Sequence, residues 1–200
     1  MDKAVEVLAS DELHEDFLKL RRYRLRHRRY DGDWSAAIAR ERVEGLQAAG
    51  ALLYDPVADA VVLVEQFRIG AMDPADPANA WVLETVGGYI PPGQNPEAVA
   101  RWEVQEETGC EVGRLEAICT FYVSPGFSTE RIHLFCGEVD SATAGGVHGV
   151  AAEGEDILVR VLGCDEAFSL LARGAINTTS AIVALQWLQL NREHLRRRWR

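Results

Sequence analysis

The sequence predicts a mixed α/β (α+β) fold, and three observations carry that reading. Short β-forming runs punctuated by Gly, Pro and Asp recur through most of the 200 residues. One mid-chain segment has both a helix start and a helix stop. A periodic stretch near the C-terminus closes the chain as a further helix. The apolar fraction of 48% is enough for a sizeable core, and a charged fraction of 26% is ordinary for a folded protein.

The first fifty residues differ in composition from the rest, and we divide the chain into an N-terminal β-strand extension, 1–49, and a main domain, 50–200. Residues 18–30 (LKLRRYRLRHRRY) carry Arg21, Arg22, Arg24, Arg26, Arg28 and Arg29. We read them as the solvated or partner-facing side of long strands ended by the turn signal Asp31-Gly32. Residues 34–47 are ambiguous between strand and helix. From residue 51 a hairpin is expected, ALLY then AVVLV, across the Asp55-Pro56 turn. Residues 81–86 form a strand ended by Gly87-Gly88. Asn95 and Pro96 are a good N-cap and first helical residue, and the helix they start runs to Thr108 with Gly109 as its stop. Strands are expected at 116–123, 132–139 and 157–161. The glycine-rich 145–156 reads as a mobile loop, Asp165 as the cap of a short helix to Arg173, and Thr179 or Ser180 as the start of a helix to Arg197.

Charge and cysteines narrow the function classes. Lys and Arg number 21 against 31 Asp and Glu, a net charge of −10, which argues against a nucleic-acid binder. The N-terminus lacks the basic start and apolar run of a signal peptide, and no stretch is long enough to span a membrane, so a cytoplasmic location is expected. Cys110, Cys119, Cys136 and Cys164 are too far apart for zinc spacing and read as reduced, mostly buried thiols.

The informative residues are Glu103, Glu106 and Glu107 in RWEVQEETG. Positions i, i+3 and i+4 fall on one arc of a helix, where three carboxylates repel one another unless cations lie between them. Hard oxygen donors of this kind suit Mg²⁺ or Mn²⁺, which share their coordination with a substrate's phosphates. A strand ending in two glycines, a tight loop and then this helix can bring backbone carbonyls and carboxylates to one point.

This segment resembles the Nudix box, G-x5-E-x7-R-E-U-x-E-E-x-G-U with U apolar. From Gly88 the chain reads GYIPPGQNPEAVARWEVQEETGC, and Gly88, Glu103, Val104, Glu106, Glu107, Gly109 and Cys110 match. Gln94 stands where the pattern has Glu, and Trp102 where it has Arg. Loss of both members of that pair leaves no charge unpaired, and packing with neutral hydrogen bonds is expected to hold the loop to the helix instead. Over residues 12–195 the chain is similar to ADP-ribose pyrophosphatases of bacterial type, through WVLETVGGYI, SPGFSTERIHLFCGEVD and GVHGVAAEGEDI. Pro125, sixteen positions past Gly109, occupies the place that marks ADP-ribose specificity in that family.

The resemblance implies a Nudix fold, a mixed β-sheet core sandwiched by helices with the N-terminal strands as an extension. It implies Mg²⁺ (or Mn²⁺) as cofactor, held by Glu103, Glu107, Glu106 and the carbonyl of Gly87, with Glu106 also in the catalytic set. Two or more such ions would neutralise the diphosphate and activate the attacking water. It aligns Glu153 with the catalytic base, with Glu155 the neighbouring candidate, and Arg68 with a phosphate contact. Arg40, Pro125 and Glu130 join the substrate set, and a homodimer in which N-terminal strands cover the other subunit's site is implied, with Arg40 reaching across. Tyr30, Trp34 and Phe121 are candidates for stacking on adenine; His148 is a candidate ligand or base. The expected reaction yields AMP and ribose 5-phosphate from ADP-ribose. Other nucleoside diphosphate sugars such as GDP-mannose, or a sensor that binds ADP-ribose without cleaving it, are the competing readings.

Overall fold

In the computed structural model, which describes residues 3–45 and 47–199, contacts divide the chain into two compact units. One comprises Met1–Gln47 with Tyr122–Arg131, the other Ala48–Phe121 with Ile132–Arg200.

In the first unit, β1 (Val5–Glu15), β2 (Lys19–His27) and β3 (Ile38–Glu44) form an antiparallel sheet. The region ambiguous by periodicity is therefore strand. Its arginines are tied across strands to acids: Arg26 to Glu6 at 2.6 Å, Arg22 to Glu41 at 2.8 Å and Arg21 to Glu12 at 3.3 Å. Cross-strand pairing, rather than a basic patch, is the use made of them. Every residue of β1 is exposed.

The second unit is built on an eight-stranded sheet. Its strands are β4 (Gln47–Asp55), β5 (Ala60–Phe67), β6 (Trp81–Glu84), β7 (Val86–Tyr89), β8 (Leu115–Tyr122), β9 (Arg131–Glu138), β10 (Val147–His148) and β11 (Ile157–Gly163). Its main path runs β10-β11-β5-β4-β9-β8. Only the hairpin end of β4 pairs with β5, through Leu53–Asp55; beyond it β4 pairs with β7 and β5 with β6. The two central strands thus diverge and β6 and β7 fill the fork. The single strand expected over 81–86 is two strands broken at Thr85, with Gly87 and Gly88 inside the second.

Helices cover both faces, as the expected sandwich requires. Val62 and Val64 on β5 pack with Val104 of α1 (Pro96–Thr108) and with Ile157 and Val159 of β11. Val61 and Leu63, pointing the other way, pack with α2 (Cys164–Ala172) and α3 (Thr179–Trp199), through Ala167, Leu185 and Leu188. α1 starts and stops as its sequence dictates. The Asn95 side chain accepts from the Glu97 N–H at 2.8 Å, and Gly109 ends the helix at φ 69°. Asp165, by contrast, caps nothing: Gly163 is the N-cap of α2, and the Asp165 carboxylate instead accepts from Arg192 at 2.7 Å. Residues 145–156 are not a plain loop either, since β10 pairs with β11 and a short 3₁₀ turn covers Ala151–Glu153.

At the closed end of the β4–β5 hairpin, Asp59 adopts φ 58°, a left-handed conformation that Asp tolerates better than most residues. Its carboxylate accepts from Arg192 Nε at 2.8 Å and from the Tyr54 hydroxyl at 3.0 Å, and Arg196 lies at 3.2 Å. These contacts, Arg192 foremost, hold the carboxyl down at about 2 against an ordinary 3.8. A depressed folded-state value contributes stability above pH 4 that is lost as pH falls toward 2. Arg192→Met should lower Tm by roughly 4–8 °C at pH 7, and the gap to wild type should close between pH 4 and 2. A constant gap across that range would show that lost packing, not the ion pair, is responsible.

Candidate active site

The site forms where the fork brings β7 against β4 and α1 over β7. Gly87 lies opposite Gly50, and a Cβ on Gly87 would come within 2.6 Å of the Ala49 carbonyl oxygen. A Cβ on Gly88 would land on the Glu103 carboxylate. Glycine at both places is what allows backbone and acid to approach one another.

Glu107 is the centre of the arrangement. It is only 4% exposed, and its carboxylate accepts a hydrogen bond from the Gly87 N–H at 3.1 Å. Burial pushes its pKa up to about 8; the Gly87 N–H opposes that rise, Glu103 adds to it, Arg68 opposes it and Glu155 adds to it. Those influences place two further acids and one cation around a single buried carboxyl. Glu103 and Glu106 are half-buried on the same helix.

Arg68 follows β5 directly, and its guanidinium donates to Glu84 of β6 at 2.6 Å. Glu155 closes its loop by accepting from the Val150 N–H at 2.9 Å. The backbone of Glu153 lies in the Ala151–Glu153 turn, while its side chain falls outside what the structure describes. His148 is held by the Gly145 carbonyl oxygen at 2.8 Å.

Arg40, Pro125 and Glu130 belong to the first unit. Arg40 donates to the neighbouring Ala39 carbonyl at 2.7 Å, Pro125 lies in a turn closed by Phe127 N–H on Ser124 O, and the Glu130 N–H donates to Ser128 Oγ at 3.0 Å. Of the aromatic candidates, Tyr30 is 86% exposed, Trp34 has the guanidinium groups of Arg26 and Arg28 within 4.8 Å of its ring, and Phe121 packs against the core. Trp102 is exposed. The Asn95 cap joins the loop to α1, while Arg101 pairs with Glu97 inside the helix and donates to the carbonyls of Val112 and Gly113 beyond its C-terminal end.

Motif reading missed Glu84, which holds Arg68, and Gln66, buried on β5. Gln66 was visible as the polar member of the alternation Val62, Val64, Gln66, Arg68 along β5.

Residues 44–182 match the NUDIX domain. The chain belongs to the Nudix family. It is 43% identical to the ADP-ribose pyrophosphatase of Escherichia coli K12, over 98% of this chain and 92% of that one. It is 41% identical to the ADP-ribose pyrophosphatase of Haemophilus influenzae, over 98% and 91%. A GDP-mannose pyrophosphatase of Cronobacter sakazakii is more distant, at 33% over 95% and 97%. A solved structure described as an ADP compounds hydrolase shares the Nudix fold with a TM-score of 0.70 at 15% identity, over 97% of this chain and 95% of that one.

Nudix hydrolases generally use divalent metal ions, and the donor set here fits one. The acids are hard oxygen ligands, and the space a Gly88 side chain would fill belongs to the Glu103 carboxylate. Among the described residues no three acidic, His or Cys side chains form a complete cage.

A carboxyl that keeps its proton to about pH 8 in the folded chain, but releases it near 4.5 when unfolded, makes the metal-free protein less stable as pH rises between those values. Tm of the metal-free protein should fall by roughly 5 °C or more from pH 5 to pH 8. Glu107→Gln should flatten the profile, and a divalent cation added at pH 8 should restore the lost stability in wild type alone. An unchanged slope in the variant would remove Glu107 as its source.

Proposed function

We propose that this chain hydrolyses the diphosphate linkage of ADP-ribose to AMP and ribose 5-phosphate, with Mg²⁺ as cofactor and Mn²⁺ as a substitute. The observation that carries the chemistry is Glu107, a buried acid at the glycine fork that accepts from the Gly87 N–H, with the Glu103 carboxylate against Gly88. The greater identity to ADP-ribose pyrophosphatases than to GDP-mannose pyrophosphatases favours the ADP-ribose substrate. Three box glutamates also argue against a sensor, which has no need of metal ligands.

Glu103, Glu106, Glu107 and the Gly87 carbonyl would hold the cations, which supply charge neutralisation and lower the pKa of a water. Water oxygen bonds to one phosphorus, the bridging P–O bond breaks, and Glu153, or Glu155 beside it, takes the water's proton. Arg68 steadies the diphosphate, with Arg40, Pro125 and Glu130 as further substrate contacts. Positioning and electrostatics supply most of the rate in such a displacement.

Incubation with ADP-ribose and Mg²⁺ should release AMP, and a chelator should stop it. Glu103→Gln and Glu107→Gln should each lower kcat by roughly 10²-fold or more. Faster turnover of GDP-mannose would replace the substrate assignment, and tight ADP-ribose binding without turnover would replace the reaction.

We propose, further, a cytoplasmic homodimer built on the N-terminal strands. β1 is exposed along its length, with Val5, Val7, Leu8 and Leu13 among its uncovered side chains, a surface that a second copy would bury. No helix of the described residues is long and apolar enough to cross a membrane, and Cys110, Cys119, Cys136 and Cys164 are free thiols. Sedimentation at micromolar concentration should give twice the chain mass, and Val7→Glu with Leu13→Glu should give monomers. A wild-type monomer would end the dimer proposal.

A further inference from the structure

Gln66 is out of place on the α1 side of β5. Residues two apart share a face of a strand, so Val62, Val64, Gln66 and then Arg68 are in one line. Val62 and Val64 pack with Val104 of α1, Ile157 and Val159. Gln66 itself pairs with Val82 of β6, and the register of β11 on β5, Leu158 with Glu65, puts Ile157 beside it on the other side. It is 6% exposed, and its Nε2 has no hydrogen-bond partner among the described residues. Arg196 Nε and Trp199 Nε1 are unpartnered too, but both belong to α3, which covers the other face of the sheet.

An amide donor buried without an acceptor lowers stability, and an apolar side chain between Val82 and Ile157 would avoid that loss. The neighbourhood explains what the donor is for. One step along the same face stands Arg68, whose charge acts on Glu107, and Glu107 is one helical turn beyond Val104 on α1. The Glu107 oxygen Oε2 already accepts from Gly87 N–H. A lysine or arginine at position 66 would put a second charge beside Arg68 in a buried place, whereas an amide offers a hydrogen bond without charge. A diphosphate arriving at the acids brings only acceptor oxygens.

We propose that Gln66 is a substrate-holding residue, donating from its side-chain amide to a non-bridging oxygen of the diphosphate beside Arg68. The inference rests on the diphosphate hydrolase reading above and adds a neutral contact to it. Because the same hydrogen bond is made to substrate and to transition state, its loss acts on binding more than on turnover.

The test is Gln66→Met in the full chain, which removes the donor at similar volume. The probe is a methylene-bridged, non-hydrolysable ADP-ribose analogue titrated calorimetrically in Mg²⁺, with Tm measured alongside. The expected result is an analogue Kd weakened about tenfold, KM for ADP-ribose raised in parallel with kcat within a few fold, and a Tm equal to wild type or raised by roughly 2–4 °C. A lower Tm, or an analogue affinity equal to wild type, overturns the proposal, since a merely structural glutamine gives one or the other. Should the methionine variant not fold, Gln66→Leu is judged by the same two readings. Failure of wild type to cleave ADP-ribose would sink the hydrolase reading instead, and that is measured separately.

Discussion

Burial of the Glu107 carboxyl is the constraint on which the rest of the site depends. A carboxylate taken out of water is costly unless it gains compensating partners. Here the Gly87 N–H and the charge of Arg68 offset part of the cost, while Glu103 and Glu155 add to it. In the reading proposed above, a divalent cation held by Glu103 and Glu107 would turn repulsion between those two acids into shared coordination, so that cation binding would stabilise the fold.

The sheet is shaped to allow this. Because β4 and β5 part beyond Leu53 and Val62, two short strands can enter between them and present Gly87 and Gly88 under α1. The hairpin's closed end is fastened to α3 by Asp59, Arg192 and Arg196, so the strands diverge from a fixed point. Apolar packing on both faces holds the middle of β5. On the α1 side, where that packing stops, Gln66 carries an amide nitrogen without a partner among the described residues, and Arg68 follows it. Stability is thus concentrated away from the chemistry, as expected where function requires groups that packing alone would not select.

Much of this was legible in the sequence because the signals are local. Asn95-Pro96 and Gly109 set the bounds of α1 through their own backbone preferences, and the acids at i, i+3 and i+4 follow from helical geometry. The hairpin was readable from its turn. What could not be read depends on distant partners. The break at Thr85 arises because β6 and β7 pair with different strands, which no alternation reveals. Asp165 has the chemistry of a cap but finds Arg192, 27 residues on, a better partner. β10 is only two residues long and exists through its pairing with β11. Trp102 stays exposed, and the loop meets the helix through the Asn95 cap.

The distribution of positive charge explains why an acidic chain must take its compensating charge from outside. Arginines are plentiful in the first unit, but Arg21, Arg22, Arg26, Arg29 and Arg42 are matched to acids there. In the second unit Arg192 and Arg196 are committed to Asp59, Arg101 to Glu97, and Arg160 to Glu65. Arg68, the cation whose charge reaches Glu107, is itself shared with Glu84. The exposed pairs among these add little stability, but they hold arginines away from the site's own acids. A diphosphate brought to those acids would meet repulsion from the chain, so its binding and its neutralisation both have to come with divalent ions. The same shortage gives a neutral donor such as Gln66 its value: it adds a hydrogen bond to the anion without consuming an acid that the metal needs.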